Sequence, residues 1–309
     1  MKKSLMHSWN RLEILVQTSS FNIKQPIRTV VLQDLKIGGD TSFHFLSENE
    51  NKSNPILVLQ LNIFDTNEIP DVVKEYYKSS IDNKLDLVKY AQEINCDILA
   101  LKFNIKSVEE VENAKKLLQT LLPVIKKPLM VLGTGDNDID IKLLPELTNT
   151  LDRISIISYV EEKTYKQIVP SLLNTEHIIV IRTPIDINLA KEMNILTTDM
   201  GINPDKIIMD TDMGALGYGL DYGYSIMERI KLAGFDGDKM LNMPLIAFVG
   251  EETFKTKEAK SDSFDKNWGC LNERAVMFET ATASAMIAAG SNLVVLMHPE
   301  SIITLKGLI

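Results

Sequence analysis

The sequence predicts an α/β protein built as a (β/α)8 TIM barrel, and three observations carry that prediction. Eight short apolar runs recur between Asn54 and Met297, segments of helical periodicity separate them, and the residues that follow each run are polar. Runs of four to six apolar residues without alternation suit strands buried on both faces. Eight strand–helix repeats with no break in composition are what a closed barrel of this size requires.

The runs, in order, are Ile56–Leu61, Ile98–Phe103, Leu129–Leu132, Ile154–Ile157, Ile178–Ile181, Ile207–Met209, Leu245–Val249 and Leu293–Met297. Between them, VEEVENAKKLLQTLLPVI sets Val111, Ala114, Leu117, Leu118 and Leu121 on one side of a helix. Ser107 and Glu110 have capping-box spacing ahead of it. PIDINLAKEMNIL fits a helix starting at Pro184 or Asp186, and two further helices are expected to end on Gly234 and Gly290. An open doubly wound sheet is the competing topology. It usually carries a phosphate-binding loop after an early strand, and none follows Leu59–Phe64.

Residues 1–50 read as an N-terminal extension, and 51–309 as the barrel domain. The extension begins with helical character and continues as IRTVVLQDLKIGGD, a hairpin expected to close on Gly38-Gly39. The polar SENENKSN reads as a surface loop.

Composition excludes several classes of function. A net charge of −9 and the absence of a basic stripe exclude a nucleic-acid partner. No apolar stretch approaches the roughly 20 residues that span a bilayer, and the start of the chain lacks an apolar signal core; the expectation is a cytoplasmic protein with no membrane partner. Cys96 and Cys270 cannot hold a four-cysteine cluster. His7, His44, His177 and His298 show no paired metal spacing, so no metal site is expected.

Function in such barrels sits on the loops after the strands. Those ends supply Asn62 and Asp65, Lys102 and Asn104, Gly133-Thr134-Gly135-Asp136-Asn137-Asp138, Ser158, then Arg182, Asp186 and Asn188. Asp210 and Asp212, Gly250-Glu251-Glu252 and His298-Pro299-Glu300 complete them. The loop after the third strand makes a weak phosphate site, because its carboxylates repel an anion and Lys102 is the only nearby cation. It reads equally as a turn with helix-capping aspartates or as a polar lid over a neutral ligand. Asp210 and Asp212 alternate along a strand and could share a face as an acid/base pair; hydrogen bonding to loop amides is the commoner outcome. His298 reads as a capping side chain rather than an acid/base group. Trp268-Gly269-Cys270 ends a polar insertion long enough for a partner contact.

The densest signal is KIIMDTDMGALGYGLDYGYSIMERIKL at Lys206–Leu232. Four of the fifteen glycines (Gly214, Gly217, Gly219, Gly223) fall within ten residues, interleaved with Tyr218, Tyr222 and Tyr224. Glycine permits sharp turns and close approach, and tyrosine offers a flat face with a polar tip. The stretch is either a tight strand-to-helix turn or a binding platform.

Together with DYGYSIMERIKLAGFDGDKMLNMPLIAFVGEE, the run NILTTDMGINPDKIIMDTDMGALGYGL at Asn194–Leu220 resembles the small (delta) subunit of the corrinoid iron–sulfur protein of the acetyl-CoA synthase/decarbonylase system. Gly38-Gly39-Asp40 with Phe43-His44-Phe45, VLGTGDNDID at Val131–Asp140, RTPIDINLAK at Arg182–Lys191 and the block Trp268–Glu300 extend the likeness over about residues 35–300. The resemblance implies a TIM barrel paired with a large (gamma) subunit that carries a 4Fe-4S cluster and a corrinoid (cobalamin) domain, with the cobalt cofactor at the interface. It further implies methyl transfer in the reductive acetyl-CoA (Wood–Ljungdahl) pathway. A methyl-tetrahydrofolate:corrinoid methyltransferase loads the methyl group, acetyl-CoA synthase/CO dehydrogenase receives it, and this chain contributes no catalytic residue. The expected corrinoid-facing residues are Gly133, Thr134, Gly135, Asp136, Asp186, Asn188, Asp210, Gly214, Gly217, Tyr218, Gly219 and Tyr222. The alternative is a pterin-binding TIM-barrel methyltransferase using Asn62, Asn104, Asp136, Asn137, Asp186 and Asn188. A sugar-phosphate enzyme is disfavoured by the missing phosphate site.

Overall fold

The computed structural model describes residues 23–44, 54–214 and 216–309. The helical start and most of SENENKSN lie outside them. Eight parallel strands close into a barrel: β3 (Ile56–Asn62), β4 (Ile98–Lys102), β5 (Leu129–Leu132), β6 (Ile156–Val160), β7 (Ile178–Arg182), β8 (Ile207–Asp210), β9 (Leu245–Ala247) and β10 (Leu293–Leu296), with β10 pairing back onto β3. Leu57, Leu59 and Leu61 of β3 pack outward against the helices, and Ile56 and Val58 inward, so both faces are apolar and the sequence reads as an unbroken run.

The inner core contains Ala100, Met130, Val180, Ile208 and Val295 from the strands, and also Val30, Leu32 and Ile37. These three come from an antiparallel hairpin, β1 (Thr29–Leu32) and β2 (Leu35–Gly38). The hairpin plugs the amino-terminal end of the strands: Arg28 N donates to Asn242 O at 2.9 Å, and Asn242 Nδ2 donates to Pro26 O at 2.8 Å. Beyond it, the buried Asp40 carboxylate accepts hydrogen bonds from Lys231 and Asn292, and Lys231 Nζ also donates to Gly290 O at 2.9 Å. The hairpin therefore shares the barrel's core.

Four local expectations are corrected. The hairpin turns at Gln33-Asp34, with Gln33 at φ 52°, and Gly38-Gly39 lie at and after the end of β2. Gly38 is needed there for clearance, because a Cβ would fall 2.3 Å from Arg28 O. The fourth barrel strand is Ile156–Val160, since a bulge between Ile157 and Val160 carries pairing past the polar Ser158. The seventh stops at Ala247 because Val249 already opens a helix. No capping box forms at Ser107: the segment enters as a 3-10 turn, and the Glu110 carboxylate accepts from Lys106 N at 2.8 Å.

Helices α1 (Asp71–Tyr77), α2 (Lys84–Glu93), α3 (Val111–Leu121), α4 (Asn137–Thr150), α5 (Tyr165–Ile168) and α6 (Ile187–Asp199) surround the barrel, followed by α7 (Asp221–Phe235), α8 (Val249–Thr253), α9 (Leu271–Ala289) and α10 (Pro299–Lys306). Helix α7 runs one residue past Gly234, whereas α9 ends on Gly290 in the left-handed region, as expected. No described helix is long and apolar enough to cross a membrane.

Candidate functional site at the barrel mouth

The period-two alternation that turns Val58, Ala100, Val180 and Ile208 inward also turns inward the residue two positions later. Those residues are Gln60, Lys102, Arg182 and Asp210, with Asn62 one step further up β3. The apolar layers of the barrel are thus covered at the carboxyl end by a polar layer.

Two ion pairs organise it. Lys102 Nζ lies 2.5 Å from Glu251 Oε1, and Arg182 Nε lies 2.5 Å from Asp210 Oδ2. Gln60 Nε2 donates to the same Glu251 oxygen at 3.1 Å and to Asn62 Oδ1 at 3.2 Å. The Arg182 guanidinium stacks 3.3 Å from the Tyr159 ring centroid and 4.9 Å from that of Phe248. Glu251 arrives on α8, whose Gly250 has no room for a side chain: a Cβ would sit 2.7 Å from Met297 N.

These groups titrate unusually because they are dry. Burial pushes the Asp210 carboxyl up to about 6, even with the guanidinium beside it. Burial also pushes the Glu251 carboxyl up, but Lys102 and Arg182 outweigh it and hold the group below its usual range. Desolvation disfavours the Arg182 cation, and Asp210 more than offsets that. The Tyr159 phenol is pushed up by burial.

A cavity of about 920 Å³ opens over this layer. Gln60, Asn62, Lys102, Thr134, Gly135, Tyr159, Arg182 and Glu251 form its polar side; Ile69, Val72, Phe254, Leu271 and Met297 form an apolar wall.

Of the residues expected to bind cofactor, only Thr134 and Gly135 line the cavity. Their loop amides are engaged: Thr134 N and Gly135 N donate to the Asp140 carboxylate, each at 2.8 Å. Gly133 packs on the same carboxylate, with a Cβ position 2.6 Å away. Asp136 caps α4, accepting from Asp138 N at 2.9 Å and Ile139 N at 3.3 Å. Asp186 caps α6 the same way, accepting from Asn188 N at 2.8 Å, and Asn188 takes its place in the first turn. Asp210 and Asp212 do not form an acid/base pair. Asp212 N donates to Asp210 Oδ1 at 3.0 Å, and the Asp212 side chain accepts from Gly214 N at 3.1 Å, so the two carboxylates build the loop. Lys102 is also not the only cation near the loop after β5, since Arg182 lies on the Tyr159 ring beside Gly135.

Past Gly214, the loop projects outward. Tyr218 is 88% exposed and Tyr222 66%, and nothing lies within 4 Å of a Cβ built on Gly217. Gly219 takes φ 104°. The loop is anchored at its far end where α7 passes Met213: a Cβ on Gly223 would meet Met213 O at 2.8 Å. This platform and the cavity lie apart, with no described residue of 210–222 in the cavity wall.

The pterin ligand set is largely spent. Asn104 Nδ2 donates to Asp65 O and Glu68 Oε2, both at 2.8 Å, and Asp136 and Asp186 are helix caps. His298 is a cap, its Nδ1 accepting from Glu300 N at 3.1 Å. Among the described residues, no three His, Cys, Asp or Glu side chains converge as a metal site. Sequence reasoning missed Gln60 and Tyr159. Gln60 was findable, being two residues beyond an inward apolar position; Tyr159 was hidden by the bulge.

Residues 31–306 match the family described as CO dehydrogenase/acetyl-CoA synthase delta subunit. The acetyl-CoA decarbonylase/synthase complex subunit delta of Methanocaldococcus jannaschii is 27% identical over 284 residues, covering 88% of this chain and 68% of that protein. Subunit delta 1 of Methanosarcina thermophila is 28% identical over 87% of this chain and 64% of its own length. The chain thus spans about two thirds of these relatives. In fold, it is similar to dihydropteroate synthase of Thermus thermophilus (TM-score 0.56, 12% identity, 91% of this chain and 98% of that one). The Xanthomonas albilineans enzyme is similar at TM-score 0.56 and 11% identity, over 82% and 91% of the two chains. At that identity the likeness speaks for the barrel alone. The family match extends from the floor hairpin to the last helix, and this chain belongs to the CO dehydrogenase/acetyl-CoA synthase delta subunit family.

Proposed function

We propose that this chain is the small subunit of a corrinoid iron–sulfur protein and that its barrel mouth covers a corrinoid held by a large (gamma) subunit. The observation that supports this most directly is the exposed platform of Tyr218, Tyr222, Gly217 and Gly219 on two fixed ends. Aromatic side chains left in water mark an interaction surface. A corrin ring is broad and flat with an amide rim; Gly217 offers a surface free of side chain, and the two phenols offer polar tips to the rim. Gly214, Asp186, Asn188, Asp136 and the Gly133–Gly135 turn stand on the neighbouring loops and belong to the same face in this reading.

The corrinoid supplies the cobalt chemistry of methyl transfer. This chain's residues bind and shield: Asp210 and Asp212 hold the loop, the tyrosines cover the ring, and the closed face excludes water. The 4Fe-4S cluster belongs to the large subunit. The methyl donor's methyltransferase and acetyl-CoA synthase/CO dehydrogenase are the successive partners of a cytoplasmic complex.

Co-expression with the large subunit tests this. A stable heterodimer with a corrinoid absorption spectrum is expected, weakened in the Tyr218→Ala/Tyr222→Ala double variant. A chain that elutes alone and colourless beside that subunit overturns the proposal.

A further inference from the structure

Ile185 stands in a conformation that isoleucine ordinarily avoids. The turn Thr183-Pro184-Ile185-Asp186 joins β7 to α6, and Ile185 takes φ 48° within it. The position after proline in a turn with positive φ favours glycine or asparagine, because a branched Cβ crowds the backbone there. Gln33, Lys78 and Asp212 are the other non-glycine residues with positive φ among the described residues, and Ile185 alone of the four is β-branched. The turn is fixed from both sides. Thr183 N donates to Asp210 O and Ile185 N to Thr211 O, each at 2.9 Å, and Asp186 is held as the cap of α6.

The side chain is not spent on the core, since Ile185 remains 37% exposed. What packing it has is on Gly214, where a Cβ would fall 2.9 Å from Ile185 Cδ1. Gly214, at φ 65°, donates its N–H to the Asp212 side chain, and Asp212 is itself at φ 51°. Three left-handed residues from two loops therefore meet at the root of the tyrosine platform, and the isoleucine is the apolar group among them. A residue that served only to shape the turn would be asparagine or glycine, at lower cost. Strain retained in order to hold a side chain out in water points to a contact made by that side chain.

We propose that Ile185 is the apolar contact for the face of the corrin ring, set at the base of the platform whose tyrosines serve the ring's amide rim. A corrin presents hydrocarbon across its face, which a short branched aliphatic group meets without desolvating anything polar. This assignment rests on the corrinoid-covering function proposed above and adds to it the residue that the ring lies against.

Ile185→Asn removes the branched group and installs a residue that tolerates positive φ. The melting temperature of the free chain should stay the same or rise, which a purely structural role would not allow. Isothermal titration against the large subunit, with and without reconstituted hydroxocobalamin, reads the contact. The wild-type chain should bind the loaded subunit more tightly. In Ile185→Asn that affinity should fall by about tenfold, the contribution of burying the exposed third of an isoleucine. Affinity for the corrinoid-free subunit should not change, and Ile185→Val should bind like wild type. A lower melting temperature in Ile185→Asn, undiminished binding of the loaded subunit, or an equal loss against both forms overturns the proposal. If the wild-type chain itself does not distinguish the two forms, the corrinoid-covering function fails and this contact fails with it.

Discussion

Replacing Arg182 by Met removes one half of the most buried ion pair in the barrel mouth and retains most of the side chain's bulk. Asp210 is 1% exposed and Arg182 11%, their contact is 2.5 Å, and Asp212 N is the other donor to the carboxylate. The variant strands a carboxylate in a dry layer, and breaking a buried pair in this way costs about 3–5 kcal/mol. The sign of the pH dependence follows from Asp210. Its folded pKa of about 6 lies above its ordinary 3.8, so the folded state holds the proton more tightly than the unfolded chain. This contribution to stability is full below the ordinary value and is lost as pH rises through about 6. Without Arg182 the folded value moves higher still, so the cost of the substitution should be large at about pH 8 and smaller at about pH 5. Urea denaturation followed by circular dichroism at both values measures it, and the Arg182→Met/Asp210→Asn double variant should recover much of the loss. A cost under about 1 kcal/mol at the higher pH, or one that does not shrink at the lower, would refute the reasoning.

Gly223→Ala pushes a methyl group into Met213 O and Cα, at 2.8 and 3.0 Å, and should cost about 1–3 kcal/mol in thermal or urea melts while disturbing the tyrosine loop. Lys231→Met removes a cation that donates to Asp40 and Gly290 O in the buried space beside the hairpin; a loss of about 3–5 kcal/mol is expected in the same assay. Glu279 is fully buried, and burial pushes its carboxyl up to about 7 against the pull of Met297 N and His298 N. Wild-type stability should therefore fall as pH rises from about 4.5 through 7, and Glu279→Gln should flatten that slope.

Element type was legible because it is a local property. A strand buried on both faces has to be apolar throughout, so Ile56–Leu61 and Leu129–Leu132 could be read within a residue of their ends. Where backbone irregularity intervenes, the same rule fails: the bulge in β6 absorbs Ser158 and Tyr159 into a strand whose composition suggested an earlier stop. The capping aspartates show another limit. Asp136 and Asp186 carry the residue type a ligand site would want, yet their oxygens are held by the first amides of α4 and α6.

By itself the sequence determined the repeat of eight and the glycine–tyrosine loop, which depend on residues near one another along the chain, and the family likeness, which rests on the order of such local blocks. Tertiary structure decided which polar groups meet. Lys102 and Glu251 are 149 positions apart and Arg182 and Asp210 are 28 apart. Pairing of β7 with β8 sets Arg182 beside Asp210, closure of the barrel through β10 and β3 brings Glu251 to Lys102, and the burial that follows sets their charge states.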